Sequence, residues 1–97
     1  MKNKAHTSDT ILKCLSELDE IKEILIEREE QHGSPEKNFK AISMMWTAYL
    51  GRSVSEMDVA IMMTLFKTAR LGTGKVKSDS LRDLIGYQTI ALGMSEE

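Results

Sequence analysis

A chain of 97 residues buries only about two-thirds of its unfolded surface, so one modest core is expected and self-association would add to its stability. Its 13 Lys and Arg against 15 Asp and Glu give a net charge of −2 with no basic tract, which argues against a protein that neutralises rows of phosphates on a nucleic acid. No apolar run approaches the roughly 18 residues of a membrane span, no leader is expected, and the lone Cys14 can neither close an internal disulfide nor join a metal-ligand spacing. The expectation is a cytoplasmic protein without a membrane or nucleic-acid partner.

One Pro, few aromatics and apolar residues recurring every three or four positions predict an all-α fold. Residues 1–7 read as a flexible N-terminus, about 8–93 as one helical domain and 94–97 as a loose tail. A first helix over about 9–31 starts at Ser8 or Asp9, either of which can cap it. Its stripe of Ile11, Cys14, Leu18, Ile21 and Leu25 is a short heptad seam, and continuing it lands on Arg28 and His32. The seam therefore turns polar at one end, where a charge needs a partner or a wet cleft.

Gly33 stops this helix, and Ser34-Pro35 starts a second over about 35–50, with Ser34 as cap and Pro35 at the first helical position. It carries Phe39, Ile42, Met45, Trp46 and Tyr49 before Gly51. Ser55 with Asp58 forms a capping-box pattern, and Val54 is placed to staple against Val59 at the start of a third helix over about 56–71. Ser78-Asp79 opens a fourth helix over about 79–92 that carries Leu81, Leu84, Ile85 and Ile90 before Gly93. The sum is a compact four-helix bundle, expected to be a homo-oligomer.

Gly72-Thr73-Gly74-Lys75 imitates a phosphate loop, but Ala69 stands where that pattern needs Gly and Val76 where it needs Ser or Thr. It reads instead as an interhelical turn. That turn brings Lys67 and Arg70, three apart on one helix, toward Asp79 and Asp83, four apart on the next. Two readings stand: an interhelical salt-bridge network, or cations that hold a phosphate while the acids orient them or bind a divalent cation. Tyr87 follows Asp83 by four residues, and its neighbour Gly86 fits close helix packing at a cost of about 1 kcal/mol against Ala. Glu29 and Glu30 read as surface charges, the methionines from Met44 to Met63 as core or interface filler, and Trp46 as core or the rim of a pocket. His6 has no visible partner.

Glu27-Arg28, His32-Gly33-Ser34, Asn38, Trp46, Asp58-Val59-Ala60, Met63, Lys67, Ala69-Arg70, Asp79, Asp83 and Gly86-Tyr87 together resemble an uncharacterised family of small phage and prophage proteins, across roughly residues 24–92. The resemblance implies a phage origin and action in a bacterial host cell, without supplying an activity. Lys67-x-x-Arg70, the glycine-lysine turn and Asp83-Leu84 with Tyr87 are similar to a helical segment of phage nucleotide kinases that lack a P-loop. Glu27, Glu30, Asp79 and Asp83 are similar to the magnesium-holding carboxylates of MazG-like all-α pyrophosphatases, although the paired acidic motifs of that family are not reproduced.

The leading expectation is a polar pocket where the end of the first helix meets the third and fourth, binding a nucleotide or other phosphorylated metabolite. Lys67 and Arg70 would contact phosphate, His32 and Tyr87 sugar, base or phosphate, and Asp79 with Asp83 would orient the cations, with Arg28 at the same site. Mg²⁺ held by the two aspartates is the cofactor this reading allows, and metal-assisted phosphate chemistry the reaction class. The alternatives are a non-catalytic sponge for a host signalling nucleotide and a module that binds or inhibits a host protein.

Overall fold

The computed structural model describes residues 7–73 and 77–95. Gly74, Lys75 and Val76 of the glycine turn, and His6, lie outside the described residues. Within them the chain is all-α, a four-helix bundle of α1 (Asp9–His32), α2 (Pro35–Leu50), α3 (Glu56–Leu71) and α4 (Lys77–Met94).

Local chemistry explains each boundary. The Ser8 hydroxyl accepts from the Ile11 N–H at 3.1 Å, and the Ser34 hydroxyl accepts from the Lys37 N–H at 3.3 Å with Pro35 at the first helical position; both supply an acceptor to otherwise orphaned helix donors. At α3 the capping box is complete: the Asp58 N–H donates to Ser55 Oγ at 3.0 Å, and the Ser55 N–H donates to Asp58 Oδ2 at 2.9 Å. Gly51 closes α2 in the left-handed region at φ 69°, donating its N–H to the Thr47 carbonyl at 2.9 Å. Thr47 also clamps the following turn, its Oγ1 accepting from the Val54 N–H at 2.9 Å.

Helix α4 departs from expectation at both ends. It begins at Lys77 rather than Asp79 and runs through Gly93 to Met94. Gly93 is not among the glycines with positive φ, so it continues the helix as any residue would, and glycine there does not act as a stop.

The core is small. Phe39, Val59 and Ala60 form its buried centre, with Ile42, Trp46, Val54, Met63, Tyr87, Ile90, Ala91 and Met94 packed around it. α3 contributes short side chains at that centre and makes its most extensive packing with α4. Trp46 and Met63 join the core as expected, whereas Met44 and Met45 are exposed.

On α1 the heptad seam is only partly used. Ile21 is buried and Leu25 half-buried, but Ile11, Cys14 and Leu18 are exposed. The physical reason is that α1 meets the body of the bundle only around its middle and C-terminal half.

Candidate functional site

Three helices set the site. α1 packs on α4 at Gly86, where a Cβ would come within 3.9 Å of Leu25 Cδ2. That is ordinary contact distance, so glycine is not sterically required for this contact.

Asp83 of α4 receives one cation from α1 and one from α3. Lys67 Nζ of α3 lies 2.9 Å from Asp83 Oδ2, and Arg28 Nη2 of α1 donates to Asp83 Oδ1 at 3.1 Å. The Lys67 side chain is 16% exposed and that of Arg28 51%, so lysine is the inner partner and arginine the outer one. Burial pushes the Asp83 pKa up, but the hydrogen bond and charge of Lys67, joined by those of Arg28, outweigh it and hold the carboxyl below its ordinary value. The group is therefore an ionised carboxylate shared by two cations, net positive as a cluster.

A second network starts from the preceding residue of α4. Arg82 Nε and Nη2 both donate to the Glu17 carboxylate at 3.0 to 3.2 Å, and Nη1 reaches Asp79 Oδ1 at 3.4 Å. The hydrogen bond to Glu17, followed by its charge, raises the Arg82 pKa. Neither Arg82 nor Glu17 was singled out from sequence. The Asp79–Arg82 spacing of three residues was a readable signal; the partnership with Glu17 depends on the packing of α1 on α4 and had none.

Beside these networks an open groove of about 1150 Å³ runs between α1, α2 and α4. Arg28, His32, Asp83 and Tyr87 line it, together with Asn38 and Arg82. Near the α1–α2 turn its wall is polar, and the Asn38 amide there donates to the His32 carbonyl at 3.0 Å. Farther from the turn the lining includes Ile21, Ile24, Ile42 and Met45. Tyr87 stacks on Phe39, with ring centroids 6.3 Å apart, and this holds the phenol side chain between core and groove.

The expected site residues thus divide. Arg28, His32, Asp83 and Tyr87 share the groove, and Lys67 acts on it through Asp83. Arg70 instead lies over the Phe66 ring, 4.8 Å from its centroid, and Asp79 faces Arg82. The predicted meeting of a dibasic with a diacidic face is realised only by Lys67 and Asp83. Among the described residues no group of three or more His, Cys, Asp or Glu side chains converges, so Glu27, Glu30, Asp79 and Asp83 are not gathered as the pyrophosphatase comparison implied.

The combination of Arg28, Lys67, Asp83 and Gly86-Tyr87 that builds this site lies inside residues 13–95, which match a family model described as "Domain of unknown function (DUF6378)". The chain belongs to that family. Among its relatives, the "Gene 55 protein" of Mycobacterium phage D29 is 44% identical over 62 residues, covering 63% of this chain and 40% of that protein. The "Gene 55 protein" of Mycobacterium phage L5 is 34% identical over 62 residues with the same coverage, 63% and 40%. The chain therefore spans less than half the length of these phage relatives. No solved structure matches it. Resemblance to an uncharacterised phage family is confirmed. No helix among the described residues is long and apolar enough to cross a membrane.

Proposed function

We propose that the polar end of the groove binds a nucleotide or related phosphorylated metabolite. The observation that carries this reading is the sharing of one carboxylate by two cations at the groove wall. Asp83 neutralises only part of the charge of Lys67 and Arg28, and Arg28 uses a single nitrogen on it. The remaining guanidinium donors of a half-exposed arginine suit a phosphate oxygen. Tyr87 and His32, on the same groove, supply ring surfaces and polar atoms for a sugar or base. In this assignment Arg28 is the phosphate contact, Lys67 and Asp83 position it, and Arg70 and Asp79 take no part.

The test is a thermal-shift panel of mono-, di-, tri- and cyclic nucleotides, with and without Mg²⁺, on the wild-type chain and on Arg28→Gln. A ligand that binds the native state raises its melting temperature by mass action. A shift for one ligand class, lost in a folded Arg28→Gln variant, supports the reading; no shift from any of them overturns it. Recovery of the bound ligand intact after long incubation then separates a sponge from a catalyst.

A second reading, a module that contacts a host protein, is favoured by the end of α2. Met44, Tyr49 and Leu50 are exposed there, Tyr49 to 89%, and a bare aromatic side chain of this kind is enriched at protein–protein interfaces. Retention of a host protein on the immobilised chain, abolished by Tyr49→Glu, tests it.

A further inference from the structure

The first half of α1 is amphipathic, and its apolar face is left largely uncovered by the other described residues. Glu17 is the earliest α1 side chain bonded to another helix among the described residues. Around and before it, Ile11, Leu12, Leu15 and Leu18 are 49, 52, 53 and 52% exposed, so each packs against little beyond its own helix.

Taken over the whole chain, the residues outside the described ones included, the exposed surface is larger than that of a compact monomer. The chain has an accessible surface of 7819 Å² at 10.9 kDa, where a compact monomer of that mass exposes about 5600 Å². Its radius of gyration is 16.1 Å, against roughly 12.5 Å for a compact domain of this length. Even half of the surface excess would exceed the approximately 800 Å² that each partner gives to a standard interface. The chain thus carries enough surplus for a stable dimer.

The groove provides the matching feature. At about 1150 Å³ it is larger than the roughly 300–1000 Å³ that encloses a small molecule, and away from the α1–α2 turn its walls include Ile24, Ile42 and Met45. An occupant of that part must be elongated and apolar along one face. A projecting apolar helix and an open apolar groove on the same chain are the two halves of a self-complementary, two-fold interface. We propose that two copies form a symmetric dimer in which the Ile11-Leu12-Leu15-Leu18 face of each α1 seats in the apolar part of the other's groove. The polar end beside Arg28 stays open. This inference does not rest on the ligand reading, because it concerns the other end of the groove and is measured with no ligand present.

Sedimentation of the full chain across a concentration series should give twice the chain mass. Leu15→Glu combined with Leu18→Glu should sediment as a monomer with unchanged helical circular dichroism, since both side chains are already exposed in the single chain. Met45→Glu, on the groove wall, should also be monomeric. Mixing the two variants leaves one intact helix face and one intact groove, and should restore a heterodimer of lower affinity. A wild-type monomer overturns the proposal. So does a Met45→Glu variant that stays dimeric, which would mean that the α1 helices pair with each other, and so does a mixture that yields no heterodimer.

Discussion

Lys67 on α3 lies 2.9 Å from the Oδ2 of Asp83 on α4 and fastens the most extensive helix pairing in the bundle. Because the other oxygen of the same carboxylate receives Arg28 from α1, this one acid links three helices. Its loss should be felt well beyond one ion pair.

Asp83→Ala leaves a mostly buried ammonium and a guanidinium without their counterion. We expect a loss of about 1–3 kcal/mol, between the values for exposed and for fully buried pairs because solvent reaches all three groups. Lys67→Met, which keeps the length and removes the charge, should cost less, since Arg28 still satisfies Asp83. Urea denaturation of the two variants checks the order; a Lys67→Met cost equal to that of Asp83→Ala would contradict the shared-carboxylate account.

The same carboxylate sets an acid response. Its folded-state pKa is held below the ordinary 3.8 because Lys67 and Arg28 outweigh its desolvation. A depressed folded value means that the stabilisation is fully present well above that ordinary value and is lost as pH falls from it through the folded one. The stability difference between wild type and Asp83→Asn should therefore be constant near neutrality and shrink below about pH 4. A difference that stays unchanged down to pH 2 would show that the charge on Asp83 contributes nothing.

Ser55→Ala removes the acceptor for the Asp58 N–H at the start of α3. A cap of this kind is worth about 0.5–2 kcal/mol. Thermal unfolding should report a lower melting temperature with unchanged native helicity, and Ser55→Asp should recover most of the loss.

Gly86→Ala should stabilise the chain by about 0.5–1 kcal/mol, because alanine is favoured inside a helix and lowers the entropy of the unfolded chain. Among the described residues, the only neighbouring atom a new Cβ would meet is Leu25 Cδ2 at 3.9 Å. Destabilisation on denaturant titration would mean that α1 packs more closely on α4 than this distance allows. It would restore the close-approach reading of this glycine.

Much of the fold was legible in the residues because helix boundaries are set within a few positions. Ser8, Ser34-Pro35, Ser55 with Asp58, Gly33 and Gly51 each act on donors or dihedrals next to them, and the first three helices begin and end within a residue of where these signals place them. At Gly93, where no positive φ is needed, the signal was empty and the helix ran on. The polar turn of the α1 seam at Arg28 was also visible, since a charge on an apolar stripe must find a partner, and Asp83 is that partner.

What composition and spacing could not decide is which partner each charge takes across space. Arg70 and Asp79 looked equivalent to Lys67 and Asp83, yet Arg70 lies on Phe66 and Asp79 turns to Arg82. Arg82 reaches Glu17 through the packing of α1 on α4, where Leu25 lies against Gly86. Periodicity drew the whole stripe from Ile11 to Leu25 and, being a property of one helix, carried no information on where a second helix would lie. The sequence by itself determined the helices, their caps and the presence of polar residues on interior-leaning faces. The packing of α1 on α4, a tertiary relationship, decided which of those residues meet and which apolar ones remain uncovered.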